Sequence, residues 1–429
     1  MIPLRRFCFA AVLALGLVFP SGTSGTPGQE TLAGAAFVPG QVLVRFKPSV
    51  PLWTKAASMS MLRARPLSRI APLDVYVVGI DASTSVEEMV GLFGRNPNIA
   101  YAQPNYVYRA QITPNDPLFG YQYALFNKGQ QIGWIPGSPV GNPNADIKAP
   151  QGWEETIGSS SVIIAIVDTG IDLTHPDLKN KVVGTGRDFV NMDSVAADDH
   201  GHGTMVAGVA GAETNNSEGI AGVGWNCRLL PVKVLDALGL GTEDRIIQGL
   251  LWAVENGAKV ISLSFGAPTT GQALKDTIKR IVDINGAVVI APTGNDNTAV
   301  YSPASLDAYV LAVAATDHND ARWVFSNYGI EVDVAAPGYQ IFTTYPVAFS
   351  AGSLPYRFQD GTSLAAAHVA GLAGLILSLK PGLTPAQVMN VIRYSADDVN
   401  SALYKGKDEF IGWGRINMEK ALVPLVISK

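Results

Sequence analysis

Four segments of the sequence place residues suited to catalysis directly after apolar runs or at the start of stretches rich in small residues. They are Asp168 in VDTGID, His202 in DDHGHGTMVAG, Asn295 in APTGNDN and Ser363 in DGTSLAAAHVAG. Taken singly, each has an ordinary interpretation, as a turn residue, a structural histidine or a helix cap. Together, in the order Asp, His, Ser, with an amide donor between the histidine and the serine, they favour nucleophilic acyl transfer.

Other chemistries fit these segments less well. Asp168-Thr169-Gly170 is also the tripeptide of aspartic proteases, which need two carboxylates sharing one proton, and the tripeptide occurs only once. His200 and His202 could bind zinc, but no third ligand of suitable spacing lies nearby. A nucleotide-binding enzyme would carry a Gly-rich phosphate loop after its first buried strand, and the sequence has none.

Composition indicates a well-packed globular protein. The length of 429 residues suits two or three folding units. The chain is 47% hydrophobic and 16% charged, which is not typical of a disordered protein. The net charge is −5 and no long basic run occurs, so we expect no nucleic-acid partner. The only cysteines are Cys8 and Cys227; Cys8 lies in a segment that we expect to be removed, so disulfides should not hold this fold.

The elements that would position these residues follow from short, nearly continuous apolar runs separated by helical stretches. The runs cover residues 161–167, 228–235, 259–265, 286–291, 309–315 and 331–336. Strands buried on both faces have this pattern, so we predict an α/β fold with a mostly parallel central sheet and helices on both faces. Residues 244–257 predict a crossover helix that ends at Gly257, and Thr384-Pro385 begins another. Functional groups of such sheets lie at the carboxyl ends of the strands, where Asp168 and Asn295 fall.

The N-terminal third has a different organisation. Residues 1–25 have the layout of a signal peptide, with an apolar run too short for the roughly 20 residues that span a bilayer. Residues 26–36 predict a linker. Residues 37–110 contain three alternating strand patterns and a helix that begins at Ser85, so we predict a small α+β domain there. Residues 111–429 would form the α/β domain.

Five motifs match the blocks of a known family in order: VDTGIDLTHPDL, GHGTMVAG, SLSFG, TGNDN and GTSLAAAHVAG. On these motifs the chain resembles the subtilisin family of serine proteases, and within it the thermitase-like branch, over about residues 110–425. Residues 37–110 resemble the inhibitory pro-domain of that family. The resemblance implies a subtilisin-like peptidase preceded by a ferredoxin-like pro-domain, which acts as an intramolecular chaperone.

The resemblance implies a role for each candidate residue. Ser363 would attack the scissile carbonyl, His202 would take and return the proton, and Asp168 would orient the imidazole. Asn295 and the Ser363 N–H would bind the oxyanion. The residues expected to bind substrate are Ser264, Phe265, Gly266 and Gly294.

The motifs also carry expectations about specificity and about two departures from the family pattern. Little charge appears in SLSFG or in APTGN, so we expect apolar or aromatic side chains before the cut. Met205 stands where a second histidine is usual, and Ala367 stands where a proline usually precedes His368. We interpret both as packing variants.

Structural calcium is the expected cofactor. The resemblance implies a site formed by Asp116, Asp177, Glu213, Asn216, Glu218 and Ile220, and oxygen ligands in a Gly-containing loop suit this ion. The alternative is a solvated polar loop. A second site at Asp188, Asn191 and Asp193 should be weak or absent, because Val195 and Ala197 supply no side-chain oxygen.

The order of the parts predicts a maturation route. We expect self-cleavage between about Tyr108 and Asn115, with the pro-domain as inhibitor before release. The product should be a secreted, extracellular, monomeric endopeptidase that acts on proteins and peptides and has no membrane anchor after processing. The alternative is an inactive scaffold of the same family that binds peptides.

Overall fold

The computed structural model describes residues 37–107, 112–133, 135 and 137–427. The chain forms two compact units, which meet in sequence between Arg109 and Ala110. The predicted signal peptide and linker lie outside the described residues, as does the first part of the predicted cleavage region.

Among its described residues, the first unit contains four strands and two α-helices. In chain order these are β1 (Phe37–Phe46), α1 (Leu52–Met61), β2 (Arg65–Ile70), β3 (Val75–Gly79), α2 (Val86–Gly94) and β4 (Ile99–Tyr106). The strands form one antiparallel sheet in the order β2-β3-β1-β4. This βαββαβ arrangement confirms the predicted ferredoxin-like α+β fold.

The core of the first unit follows from its sequence pattern. Val42, Val44 and Phe46 alternate along β1 and are buried, as expected for a strand with one face on the core. Helix α2 begins at the predicted cap, because the Ser85 hydroxyl accepts a hydrogen bond from the Glu88 N–H at 3.1 Å. The helix then buries Met89 and Phe93 against the sheet.

The second unit contains nine strands and seven helices among its described residues. The strands are β5 (Ile163–Asp168), β6 (Arg187–Asp188), β7 (Arg228–Lys233), β8 (Ala258–Leu263), β9 (Val288–Pro292), β10 (Val310–Thr316), β11 (Val334–Pro337), β12 (Ile341–Thr344) and β13 (Tyr356–Gln359). The helices are α3 (Ala149–Glu155), α4 (His202–Gly211), α5 (Glu243–Glu255), α6 (Gln272–Asp283), α7 (Thr362–Leu379), α8 (Pro385–Ser395) and α9 (Met418–Ile427). Seven strands form one sheet in the order β11-β10-β9-β8-β5-β7-β6, and all of its pairs are parallel. The predicted α/β fold is therefore confirmed.

Alternate residues of the central strands enter two separate cores. Along β5, Ile164 and Ile166 pack into one core with residues of α4 and α7, and Ala165 and Val167 pack into a second core with residues of α5 and α6. Both faces of the sheet are therefore covered, which explains why the strands are continuously apolar in sequence. The two antiparallel strands β12 and β13 form a separate small sheet.

Helix α7 runs through the first of these cores. The helix has 18 residues and a high mean hydropathy, enough to meet a simple criterion for a membrane span, but 89% of these residues are buried inside the protein. Glycines let the neighbouring chain approach: a Cβ at Gly371 would lie 2.5 Å from Val223, and one at Gly374 would lie 3.0 Å from the Cys227 sulfur. The helix is thus a core element whose surface is shaped for close packing.

Candidate active site

Asp168 and His202 come together at the carboxyl end of the sheet. Asp168 is the last residue of β5, and His202 is the first residue of α4. The Nδ1 atom of His202 lies 2.8 Å and 3.0 Å from the two carboxylate oxygens of Asp168. Asp168 is fully buried, whereas 27% of the His202 side chain is exposed. The buried carboxylate therefore binds Nδ1 of the ring, and another part of the imidazole remains accessible from the surface.

The pKa of His202 reflects two opposing effects. Burial lowers the pKa of the imidazole, but the charge of Asp168 and its hydrogen bond to the ring outweigh burial, and Asp198 adds a weaker effect of the same sign. The net result is a pKa above the ordinary value for histidine. The site thus stabilises the imidazolium that a general base becomes when it accepts a proton.

Ser363 is the second residue of α7, the long buried helix. Gly361, two residues earlier, precedes the helix and has a φ of 152°, which strongly favours glycine. The Ser363 hydroxyl donates a hydrogen bond to the carbonyl oxygen of Ser264 at 3.2 Å. Among the described residues, no hydrogen bond joins Ser363 to His202, so the hydroxyl must turn before His202 can take its proton.

Two hydrogen-bond donors converge beside Gly361. The Asn295 side-chain oxygen accepts hydrogen bonds from the N–H of Thr362 at 2.9 Å and from its hydroxyl at 2.8 Å, which fixes the orientation of the amide. A Cβ built on Gly361 would lie 3.8 Å from the Ser363 nitrogen and 3.9 Å from the Asn295 side-chain nitrogen. The space that the missing side chain leaves is therefore bordered by both donors, as a pocket for an oxyanion requires.

The residues predicted to bind substrate lie at the ends of two neighbouring strands. Ser264 follows β8 directly and is buried, Phe265 is half-buried, and Gly266 is exposed. Gly294 follows β9 and has a φ of 110°. A Cβ there would lie 2.3 Å from the Asn327 amide nitrogen, so a side chain has no room. The sheet thus brings all four residues to the edge that also carries Asp168.

Comparison with known proteins identifies the family. A sequence model of the subtilase family matches residues 159–414, and a model of the fervidolysin N-terminal prodomain matches residues 24–105. The chain belongs to the subtilase family. It is thus a serine endopeptidase of the subtilisin type with an N-terminal prodomain, as the sequence motifs predicted.

The relatives include several proteases. The chain is 38% identical to the thermophilic serine proteinase of Bacillus sp. strain AK1, over 90% of this chain and 88% of that protein. It is 41% identical to thermitase of Thermoactinomyces vulgaris, over 72% of this chain and 99% of that protein. Among solved structures, a protease of Pseudoalteromonas arctica matches 73% of this chain and all of its own, with a TM-score of 0.63 and 29% identity.

The two departures from the family pattern lie in packed positions of this subtilase. Met205 is buried in α4, and its carbonyl oxygen accepts a hydrogen bond from the Thr343 hydroxyl at 2.7 Å. Ala367 is fully buried inside α7. In the described structure, neither side chain makes a hydrogen bond to the Asp168–His202 pair.

One acidic residue near the site was missed in the sequence. Asp198 opens the motif DDHGHG, and its carboxylate accepts hydrogen bonds from the hydroxyl of Thr169, next to Asp168, and from the N–H of Gly201, next to His202. The motif itself was the only sequence indication, because the contact with Thr169 joins residues 29 positions apart.

The structure also gathers the residues predicted to bind calcium. Asp116 and Asp177 are buried. The Asn216 amide donates to Asp177 at 3.1 Å, and the Ile220 N–H donates to the same carboxylate at 2.8 Å. The Glu213 N–H bonds the Asp177 carbonyl oxygen at 2.7 Å, and the Glu218 N–H bonds the Asn216 side-chain oxygen at 2.9 Å. All six predicted residues therefore belong to one region of hydrogen-bonded loops.

The charges of this region are not balanced by a cationic side chain. Burial raises the pKa of Asp177 to about 6 and also raises the pKa of Asp116, and each of these carboxyls lies near another carboxylate that adds to the shift. No ion pair with lysine or arginine reaches either residue among the described side chains. Buried acidic oxygens that lack a counter-charge fit a hard cation.

A cation at this site could not be bound by carboxylate oxygens alone. No group of three or more His, Cys, Asp or Glu side chains in the described ranges is arranged to hold a metal ion, so a cation beside Asp116 and Asp177 would need amide and carbonyl oxygens as well. At the predicted second site, Asp188 accepts hydrogen bonds from the N–H groups of Val190 and Asn191 and from the Asn191 amide. That carboxylate is therefore used by its own loop.

Proposed function

We propose that this subtilase hydrolyses peptide bonds of proteins through an acyl-enzyme on Ser363. The observation that carries the proposal is the pairing of His202 Nδ1 with both oxygens of the buried Asp168. That pairing fixes the ring and stabilises its protonated form, so Nε2 is the atom that exchanges protons with Ser363. Asp168 orients the base.

The reaction proceeds in two matched halves. The Ser363 hydroxyl turns from the Ser264 carbonyl to His202, loses its proton to Nε2, and attacks the scissile carbonyl carbon. His202 then donates that proton to the leaving amine, and the C–N bond breaks. A water molecule repeats the sequence on the acyl-enzyme, which releases the carboxyl product and returns the proton to Ser363.

Asn295 and the Ser363 N–H stabilise the tetrahedral intermediate. Both donors border the space beside Gly361, and the N-terminus of the 18-residue helix α7 adds a favourable dipole. Donors fixed before the reaction stabilise the developing charge without reorganisation. Thr362 serves this arrangement by holding the Asn295 amide through two hydrogen bonds.

The substrate lies along Ser264, Phe265, Gly266 and Gly294. Gly266 is exposed and Gly294 is half-buried, and neither has a side chain that would cover its main-chain groups. Because SLSFG and APTGN contain little charge, we expect cleavage after apolar or aromatic side chains. Profiling on a peptide library tests this preference. Strict cleavage after Arg or Lys would overturn it.

Calcium would be held by Asp116, Asp177 and Asn216 through side chains and by Glu213, Glu218 and Ile220 through carbonyl oxygens. When bound, the ion supplies positive charge to two buried carboxylates and cross-links the segment at Asp116 to the loop at residues 213–220. Its role is structural, because none of these residues belongs to the catalytic set.

The prodomain keeps the enzyme inactive until self-cleavage between about Tyr108 and Asn115, and residues 1–25 direct export. The mature enzyme acts outside the cell as a monomer on protein and peptide substrates, without nucleic acid or a membrane anchor. Mass spectrometry and N-terminal sequencing of the secreted form test both cleavage positions. A form that retains residues 37–107 after full maturation would contradict the scheme.

The test of the activity itself is covalent labelling. A serine-directed fluorophosphonate should attach to Ser363 in the mature protein, and peptide mapping should locate the adduct there. A peptide-binding scaffold without activity would bind peptides but leave the reagent unreacted. Labelling at another residue, or none at all, would reject the proposed mechanism.

A further inference from the structure

We propose that Asp198 is a positioning residue for His202: it ties the loop that carries the imidazole to the strand that carries Asp168, and it supplies a second negative charge near the ring. The inference rests on the proposed function, because it assigns a role in placing the general base. It adds a residue outside the triad and the oxyanion pocket. In the described structure, Asp198 makes no hydrogen bond to His202 or Ser363; its partners are Thr169, His200, Gly201 and Thr204.

Asp198 is hydrogen-bonded to residues that precede His202 in the sequence and to one that follows it. One carboxylate oxygen accepts hydrogen bonds from the N–H groups of His200 at 3.0 Å and Gly201 at 2.8 Å. The other accepts from the N–H of Thr204 at 2.9 Å and from its hydroxyl at 2.5 Å. His202 therefore lies in a chain segment whose two ends are held by one side chain.

A further bond connects this loop to the strand of Asp168. The Thr169 hydroxyl donates to Asp198 at 2.8 Å and accepts from the N–H of Gly203 at 2.9 Å. Thr169 directly follows Asp168, and Gly203 directly follows His202. The space is tight, since a Cβ at Gly203 would lie 2.1 Å from the carbonyl oxygen of Gly170. The two members of the catalytic pair are thus joined through their immediate neighbours.

The neighbouring Asp199 has a separate partner. Its carboxylate pairs with the buried Lys233 at 2.6 Å, and the same ammonium group also donates to the carbonyl oxygens of Thr169 and Leu235. The charge of Asp199 is therefore compensated locally. Asp198 has no cationic side chain as a partner in the described structure, so its negative charge remains available to His202.

Charged and titratable groups lie near the imidazole on β5 and on the loop that precedes α4. Asp168 lies at the end of β5. Asp198 and His200 lie on the preceding loop, with the His200 ring centroid 6.3 Å from that of His202. Because a nearby negative charge favours the protonated ring, loss of the charge on Asp198 should lower the pKa of His202, and this agrees with the direction in which Asp198 acts.

The test compares Asp198→Asn with the wild-type enzyme, both as mature proteins with active sites counted by fluorophosphonate titration. We expect kcat to fall roughly tenfold to a hundredfold, because a small displacement of a catalytic group costs this much. The acid limb of kcat/KM should move to lower pH by roughly half a unit. A purely structural residue would change the melting temperature without moving the acid limb. Wild-type kcat and an unmoved limb would overturn the proposal.

A second pair of variants keeps the test decisive if Asp198→Asn does not fold. Thr169→Val removes the hydroxyl between Asp198 and Gly203 and should lower kcat, whereas Thr169→Ser keeps the hydroxyl and should restore it. If both variants have equal kcat, the inference fails.

Asp283→Asn removes a half-exposed carboxylate paired with Lys279 on α6 and should leave the acid limb unmoved, which controls for net charge. If the wild-type enzyme does not react with the phosphonate, the proposed function fails instead, so the two failures are distinct.

Discussion

The Ser363 hydroxyl donates its hydrogen bond to the main-chain carbonyl oxygen of Ser264, with 3.2 Å between the two oxygen atoms. Ser264 belongs to the segment that we assign to substrate binding, so the nucleophile is bonded to the wall of its own cleft. The hydroxyl turns to His202 when the reaction begins. Before any catalytic step, this hydrogen bond therefore joins the nucleophile to the segment that we assign to substrate binding.

Substitution of Ser363 by alanine should leave an uncut precursor. The activity should fall by roughly a million-fold, the size typical for loss of the nucleophile of a triad, because no acyl-enzyme can form. Gel analysis of the purified chain and phosphonate labelling measure the two effects. Ser378→Ala is the matched control, since this serine lies at the other end of α7 and bonds Gly374. A Ser363→Ala chain that matures without another protease would refute self-cleavage.

Replacement of Asn295 by alanine should lower kcat by roughly a hundredfold to a thousandfold with little change in KM. This is the loss typical for one oxyanion donor, and the donor acts mainly in the transition state. Steady-state kinetics on a peptide substrate measure it. Asn297→Gly is the control, because Asn297 is two residues away, has a φ of 54° that glycine accepts, and accepts a hydrogen bond from Arg322 through its side chain. Equal losses in both variants would assign the effect to the loop and not to the amide.

A methyl group at Gly361 should block the oxyanion pocket. In Gly361→Ala the new Cβ would lie less than 4 Å from both donors, so we expect kcat to fall at least as far as in Asn295→Ala. Backbone strain alone must be separated from crowding, since the φ of Gly361 is positive. Gly352→Ala provides this control: its φ is 81°, and nothing lies within 4 Å of the added Cβ. The pocket assignment fails if both variants lose stability but keep full kcat per active site.

The pH dependence of the enzyme should follow His202. Asp168 holds the pKa of the imidazole above its ordinary value, and only the neutral ring accepts a proton, so kcat/KM should decline as pH falls through that raised pKa. In Asp168→Asn the pKa should drop, and the acid limb should move to lower pH. At the same time, kcat should fall by roughly ten-thousandfold, because the ring loses its orientation. An acid limb that does not move in this variant would show that another group controls it.

Removal of calcium should destabilise the fold most strongly above pH 6. Without a cation, the folded Asp177 has a pKa of about 6, above its ordinary value of 3.8. The folded carboxyl then binds its proton more tightly than the unfolded one. The free energy of unfolding should therefore decrease by up to about 3 kcal/mol as pH rises from about 4 through 6. Calcium should restore the loss.

Thermal unfolding in EDTA and in calcium, at pH 5 and at pH 8, measures this effect, and those conditions are chosen to lie on the two sides of the Asp177 pKa. Asp177→Asn should abolish most of the calcium response. Asp193→Asn changes a carboxylate of the second loop, where the Asp193 side chain bonds the Val195 N–H, and should keep the response. A melting temperature that does not depend on chelation at pH 8 would exclude the site.

The parts of the fold that the sequence predicted are those with a strong local pattern. The run ending at Asp168 is apolar because β5 is buried on both faces. The end of this strand could therefore be recognised in the sequence, where the apolar run stops. Strand β6 is only two residues long and has no such pattern. Helix α1 was missed because Leu52 and Trp53 lie exposed on its surface, at 71% and 75%, which hides the usual division into polar and apolar faces.

In the candidate site, too, the residues within recognisable motifs were predicted, and those whose role depends on distant contacts were not. His202, Asn295 and Ser363 occur in short motifs whose residue types already indicate chemistry. Asp198 could not be assigned from its motif, because its importance depends on a hydrogen bond to Thr169, and the fold alone brings these two residues together. The resting contact between Ser363 and Ser264 is likewise a property of three-dimensional packing.

Helix α7 has a consequence for when this protease can act. The helix holds Ser363 at its first turn, and most of its length lies within the first core of the peptidase unit. The nucleophile therefore takes its place only when that core has closed around the helix. A chain that is still incomplete, misfolded or partly opened has no assembled site and cannot digest its neighbours. The site is therefore assembled only in a chain whose peptidase core has folded, which includes the precursor that cleaves itself.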